Sequence, residues 1–372
     1  MMLPPNLQTI FGQLEHDTAQ IILTHLRDIG NFTASDLHRL EQLQRAGYNL
    51  ECINKKIADA LGKSEKEIYH LYRTDAKAYY GRNEINYRKS GTHWIPFEEN
   101  EIMQQFVGAI ASQTASQFEN ITGSLGFVDR FGKPMTMQSV YRQTLDYSIT
   151  SVMSGVTDYN SAIRKSVREI SDNGMQWVEY ESGWRNRARV AADRALFTGM
   201  AQIREQINFQ AGKEFGADGM EISWHSGFRP THDFGGLQFT TAEYLSKIAE
   251  RLNDYNCRHR AFPIILGLSE PAIDRGELAR LNREENEKKK WRGKEYNRYE
   301  QEQRQRRFES DIRIQKDRIT NFGVVNDADE VLKAKQRLSS LESTYNAFSR
   351  TMGLQVHHNR TWTYSFDKRR AA

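Results

Sequence analysis

Apolar residues recur at helical spacing along most of this 372-residue chain, and they change to alternation in only a few short stretches. No other feature constrains the fold as much: long helices must supply most of the structure, and any sheet must be small. The clearest alternating runs are Met175-Gln-Trp-Val-Glu-Tyr180 and Met220-Glu-Ile-Ser-Trp224, and each reads as a strand. Between them Trp184, Ala188, Ala191, Ala195, Gly199 and Ile203 form one helical stripe, whose small residues suit close approach to a sheet. Strand, helix, strand, loop and further helix is an α+β order. The fold class expected is therefore α+β, predominantly helical, with a small central α+β unit.

On either side the pattern is helical. Leu37, Leu40 and Leu43 follow a capping box at Thr33-Ala-Ser-Asp36 and precede a stop at Gly47. Ile53, Ile57, Ala60 and Leu61 make the next face, closed by Gly62, and Ser64-Glu-Lys-Glu67 opens another helix with Ile68, Leu71 and Tyr72. Short helices in succession are the expectation there. Residues 81–91 read as a linker. Helices are expected over 98–119 and 138–172, with a small hairpin in the turn-rich 123–133. After Pro271 apolar side chains thin out and basic residues outnumber acidic ones across 277–318, which predicts a long exposed helix. It would pair with 328–348 after a turn at Asn321-Phe-Gly323, and 361–366 alternates like an edge strand. The resulting division is an N-terminal helical region (1–83), a helical lead-in (84–173), the central unit (174–271), and a charged helical arm and tail (272–372).

Composition excludes several classes. No apolar run approaches the length of a membrane span, and the first residues lack the basic and apolar segments of a signal peptide, so a soluble protein is expected. Two cysteines, Cys52 and Cys257, are too few for a disulfide framework. A net charge of +4 permits contact with nucleic acid without requiring it. The basic residues that stand out are Lys288, Lys289, Lys290, Arg304, Arg306 and Arg307, the candidates for contact with DNA.

The chemistry is concentrated in His225-Ser-Gly-Phe-Arg-Pro-Thr-His232 and Asn256-Cys-Arg-His259. His225, His232, Cys257 and His259 are four side chains of the kind that ligate zinc, two in each string, although the spacing matches no common zinc motif. The alternative is a hydrogen-bonded latch between two loops, made by His225, Arg229, His232, Asn256, Cys257, Arg258 and His259, with Cys257 as a small buried apolar group. The latch needs no cofactor, and zinc is the one these residues would accept. Arg229 is held extended by Pro230, within sequence reach of Asp233 or Glu221. Cys257 with His259 lacks a visible third, orienting group for nucleophilic catalysis. Glu179 and Glu181 sit on an alternating strand that already accounts for them.

The order of blocks carries a resemblance. Tyr180-Glu-Ser-Gly-Trp184, Arg194-Ala-Leu-Phe-Thr-Gly199, Glu221 through His232, Asn256-Cys-Arg-His-Arg-Ala-Phe-Pro263 and Ser269-Glu-Pro271 together resemble the tailed-bacteriophage minor capsid protein 2 family, a relative of the Mu F-like head morphogenesis proteins. A looser likeness continues upstream through Asn120-Ile-Thr-Gly123 and downstream to Tyr345-Asn-Ala-Phe348. The chain departs from the family in Gly227-Phe-Arg-Pro230, where Gly-Ala-Arg-Pro is usual, and in Asp233-Phe-Gly-Gly-Leu237, where Trp-Gln-Gly-Lys is usual. The resemblance implies a structural, non-enzymatic minor capsid protein inside the virion, present in the host cytoplasm during assembly. Its implied partners are the portal or other capsid proteins and packaged double-stranded DNA bound without sequence preference. The alternative from another class is a metal-dependent or nucleotide-modifying enzyme built on His225, His232, Cys257 and His259.

Overall fold

The computed structural model describes residues 5–28, 36–123, 125–128, 134–136, 159–173, 176–178, 185–252 and 257–367. In chain order the helices are α1 (Pro5–Asp28), α2 (Asp36–Gly81), α3 (Glu84–Ser90), α4 (Glu101–Gly123), α5 (Tyr159–Asn173) and α6 (Ala188–Glu214). They continue with α7 (residues 241–252, with a π-turn at Tyr244–Ile248), α8 (Arg275–Asn286), α9 (Arg298–Val324), α10 (Ala328–Met352) and the short α11 (Tyr364–Asp367). The strands are β1 (Leu125–Val128), β2 (Pro134–Thr136), β3 (Gln176–Val178), β4 (Arg185–Arg187), β5 (Gly219–Ile222), β6 (Gln238–Thr240), β7 (Ala261–Ile264), β8 (Lys289–Trp291) and β9 (Lys294–Tyr296). The chain is predominantly helical with small sheets, as the periodicity requires. It forms two compact units, one of Met1–Ser64, Phe118–Ala192 and Gln305–Ala372, the other of Glu65–Gln117 and Asp193–Arg304.

The first unit holds an antiparallel sheet in the order β2-β1-β3-β4. It contains the hairpin expected near 123–133 and the strand expected at 175–180. Against expectation, α9 is not an exposed arm. Phe308 and Phe348 meet with ring centroids 5.4 Å apart, and Phe308, Ile312, Ile319 and Phe322 are all buried. Polar side chains on the same face are buried too, and Gln305, Glu309 and Lys316 among them have partners. Gln305 donates to Ser349 Oγ at 3.0 Å, Tyr345 donates to Glu309 at 3.1 Å, and Lys316 Nζ reaches Asp367 at 2.9 Å and Thr361 O at 2.9 Å. A charged sequence thus packs because its charges pair inward, which apolar counting cannot register. The turn at 321–323 is also displaced: α9 continues through it, and Asp327 opens α10 by accepting from the Glu330 amide at 3.1 Å. Residues 361–366 are not a strand. They pass from a 3₁₀ turn, His358–Thr361, into α11, whose Tyr364 packs beside Gly12 of α1.

Two more expectations fail in the N-terminal half. Gly47 and Gly62 stop nothing, because α2 runs through both, and Ser64 is inside it rather than capping a new helix, its hydroxyl donating to Ala60 O at 2.7 Å. The capping residues Thr33–Ser35 lie outside the described residues, as do 138–158 of the expected long helix. Residues 84–90, within the expected linker, are the helix α3, whose Tyr87 is buried and donates to Glu214 at 2.5 Å.

In the second unit α6 packs against the C-terminal part of α2 and against α4. Tyr72 Oη donates to Leu196 O at 3.0 Å and lies 3.1 Å from Thr114 Oγ1, directly over Gly199. The small stripe on α6 therefore serves helix–helix approach at Gly199, where a sheet was expected. Further along, Asn208 donates to Ala261 O of β7 at 2.5 Å, which ties α6 to the sheet β6-β5-β7. Met220, Ile222, Phe234, Tyr244, Ile248, Leu252 and Ala261 form the core under that sheet. α7 enters it from a complete capping box, in which Glu243 N donates to Thr240 Oγ1 and Thr240 N to Glu243 Oε2, both at 3.1 Å.

Candidate functional site

Strands β5 and β7 pair antiparallel, Glu221 opposite Phe262 and Ile222 opposite Ala261. This register brings the segment after β5 next to the segment before β7, and those are the two histidine-bearing strings. Ser223 N donates to Arg260 O at 2.8 Å, and Arg260 N donates to Ser223 Oγ at 2.8 Å. Arg258 reaches across to Ser226 O at 3.0 Å and Gly227 O at 3.3 Å, while the Arg260 guanidinium turns back to Cys257 O at 3.2 Å and His259 O at 2.6 Å. Asn256 lies outside the described residues.

Three of the four expected ligands converge. One ligand atom each from His232, Cys257 and His259 lies within 4.8 Å of the other two. Cys257 Sγ is 3.5 Å from His232 Nδ1 and 3.6 Å from His259 Nδ1. His225 stands just outside this group, its ring centroid 4.2 Å from that of His259, its Nδ1 donating to Ser226 O at 3.0 Å. Phe234 covers the trio from the core side, 5.1 Å from both His232 and His259. Phe228, the departure from Gly-Ala-Arg-Pro, sets its ring 6.4 Å from His225 and 6.3 Å from His259.

Burial keeps the His225 and His259 imidazoles neutral. It lowers His225 to about 4, with the Arg258 guanidinium adding to the effect. It lowers His259 to about 3, reinforced by the neighbouring histidines and by Arg258 and Arg260. Neutral rings present lone pairs and can accept hydrogen bonds or ligate a cation.

The carboxylates expected to meet Arg229 have other partners. Glu221 accepts from Gln238 at 2.9 Å and from Ala272 N at 2.9 Å, and Asp233 lies 3.9 Å from Arg251. Arg229 supplies its carbonyl to His232 N at 2.8 Å, closing the turn.

Sequence reasoning missed the residues that brace the loop from 275 onward. Glu285 accepts from Ser226 Oγ and from Gly227 N, the latter at 2.7 Å. Asn282 accepts from Trp224 Nε1 at 3.0 Å, Arg298 donates to Ser226 Oγ at 3.1 Å, and Glu302 pairs with Arg258 at 3.1 Å. Nothing in the local sequence marks them, since each looks like an ordinary polar or charged helix residue.

The basic candidates separate. Lys288, Lys289 and Lys290 are not helical: they lead into and form the exposed strand of a β8–β9 hairpin whose turn is Arg292-Gly293. Five of the seven residues 288–294 are Lys or Arg, and Trp291 among them carries Arg292 over its ring at 5.4 Å. Arg304, Arg306 and Arg307 lie on α9, the first half-buried and the other two exposed.

No described helix is long and apolar enough to cross a membrane. No curated protein and no solved structure matches the chain. The model of one protein family, phage minor capsid protein 2, matches residues 2–349. That span includes both histidine strings, the basic hairpin and nearly all of the paired helices α9 and α10, so the chain belongs to the phage minor capsid protein 2 family.

Proposed function

We propose that this capsid-family protein is a non-enzymatic head component that docks on the portal or inner shell and touches packaged double-stranded DNA through its β8–β9 hairpin. The observation that carries the DNA contact is the hairpin itself: Lys288, Lys289, Lys290, Arg292 and Lys294 stand exposed on a short two-stranded projection with a single cross-strand acidic residue, Glu295. Basic side chains on a narrow projection meet phosphates without reading base edges, which is what a partner of arbitrary packaged sequence requires. Arg306 and Arg307 are secondary contacts of the same kind. A head-interior location fits this reading, as does kinship with Mu F-like head morphogenesis proteins. The portal as docking partner rests on family membership alone.

The test is a salt titration of DNA affinity with two unrelated duplexes, on the full chain and on a Lys288→Ala, Lys289→Ala, Lys290→Ala variant. The expected outcome is equal affinity for both duplexes and, in the variant, a log–log salt slope shallower by about 2–3. The triple variant should still co-sediment with portal. A preference for one duplex, or an unchanged slope in the variant, contradicts the DNA assignment; failure of the parent to co-sediment with portal or shell contradicts the docking assignment.

A further inference from the structure

We propose that His232, Cys257 and His259 form a structural zinc site that staples the loop after β5 to the segment before β7. Zinc–sulfur and zinc–nitrogen bonds of about 2.3 and 2.0 Å, set at the tetrahedral angle, hold sulfur and nitrogen about 3.5 Å apart. The two sulfur–nitrogen separations here are 3.5 and 3.6 Å, both to Nδ1 atoms and both from one sulfur. The third edge, between the two imidazole nitrogens, is at most 4.8 Å, so a shift of about 1.5 Å or less brings it to the roughly 3.3 Å of a tetrahedral site. The sequence alone offered four ligands in two pairs; the fold selects one from the first string and two from the second.

A purely hydrogen-bonded arrangement serves His259 badly. Its side chain is 1% exposed, yet its Nε2 has no hydrogen-bond partner. The only polar atom facing its Nδ1 among the contacts described is the Cys257 sulfur, a weak partner whose single proton is shared with the direction of His232. The unpartnered Nε2 costs stability with or without a metal; at Nδ1 a metal–nitrogen bond replaces the weak thiol contact. The donor set, one thiolate and two imidazoles, suits a borderline-soft divalent ion rather than magnesium or calcium, which take oxygen. On binding, Cys257 gives its thiol proton to solvent and the sulfur coordinates as thiolate. The outer shell is in place: Arg260 holds the carbonyls of Cys257 and His259, and Phe234 closes the core side. A fourth position is left for water or for His225, whose Nδ1–H is committed to Ser226 O and whose Nε2 therefore carries a lone pair.

This site does not depend on the DNA or portal assignments. The experiment uses the full-length wild-type chain. Elemental analysis after exchange into metal-free buffer and reconstitution with zinc is expected to give a single zinc per chain, and cobalt replacement to give a tetrahedral visible spectrum with a thiolate-to-metal band. Alkylation supplies a readout that needs no variant: zinc should protect Cys257 from iodoacetamide, while Cys52, in the other unit, reacts equally with and without metal. Cys257→Ser should abolish the thiolate band with the circular dichroism retained. Substoichiometric zinc, a cobalt spectrum without the thiolate band, or equal alkylation of Cys257 in both states overturns the site.

Discussion

Single residues in this protein are constrained most where helices touch. A Cβ added at Gly199 would sit 2.2 Å from Tyr72 Oη and 2.8 Å from Thr114 Oγ1. Gly199→Ala should therefore cost about 1–3 kcal/mol through overpacking. Tyr72→Phe alone should cost about 1 kcal/mol for the bond lost to Leu196 O. Because the clash is with that hydroxyl, the double variant should be more stable than the two separate losses add up to, and urea unfolding of the four proteins reads the coupling. Additive losses would show that the helices separate rather than clash. Asp327 is a second such position. Arg164 beside it, at 2.5 and 3.3 Å, holds its carboxyl below the ordinary 3.8, so the pair's stabilisation is present in full above that value and is lost as pH falls through the lower folded value. The same carboxylate caps α10. Asp327→Ala should lose about 1–2 kcal/mol near neutral pH. Asp327→Asn should keep most of the cap and lose the acid sensitivity, visible as a flatter melting temperature between pH 6 and pH 3, taken as about one unit below the ordinary carboxylate value. A parallel acid profile in Asp327→Asn and parent would refute the assignment.

Among the elements, the sequence was most legible where apolar spacing alone decides and least where polar contacts do. The alternating run that begins at Met220 falls on the strand Gly219–Ile222, although that strand is buried on both faces, and the stripe from Ala188 to Ile203 lies on a helix. Gly47 and Gly62 were misleading for a physical reason: a helix-interior glycine costs only about 1 kcal/mol, and the packing of Ile53, Ala60, Ile68 and Tyr72 along α2 outweighs it. At Gly62 nothing lies within 4 Å of an added Cβ, so Gly62→Ala should stabilise the protein by about 0.5–1 kcal/mol in urea unfolding, and any destabilisation would mean that α2 is interrupted there. The β8–β9 hairpin was hidden by charge. Lys-Lys-Trp-Arg-Gly-Lys has no apolar alternation, and its turn is formed by Arg292 and Gly293 with φ of 47° and 84°. Arg292 in the left-handed region is strained, so Arg292→Asn should tighten the turn and protect the hairpin amides from exchange. It should also remove a phosphate contact and make the salt slope shallower by about 1. Looser amides would place the turn in another conformation.

For the molecule as a whole, contacts at the site cross the expected boundary between the central unit, 174–271, and the charged arm, 272–372. The loop holding His225 and His232 is braced by Asn282, Glu285, Arg298 and Glu302, all beyond the point where the composition changes. None of this was legible, because the bracing pairs are separated by 44 to 72 residues and leave no mark on local pattern, as in Arg258 with Glu302, 44 apart, or Ser226 with Arg298, 72 apart. The approach of the two histidine strings was expected as a latch, but its cause was not read: β7, Ala261–Ile264, pairs with β5 and sets the strings at adjoining strand ends. The consequence is testable. A chain ended after Arg275 loses α8, the β8–β9 hairpin and all of α9, α10 and α11, leaving Trp224, Ser226 and Gly227 without these partners while Arg258 is left without Glu302. Buried donors stripped in this way cost about 1–3 kcal/mol each. The fragment should therefore show rapid hydrogen exchange across residues 223–237 and lose the protection of Cys257 against alkylation, whereas the triple lysine variant of the hairpin should leave both unchanged. Protection of 223–237 in the fragment equal to that in the full chain would restore the arm as a separable module and remove these four residues from the site.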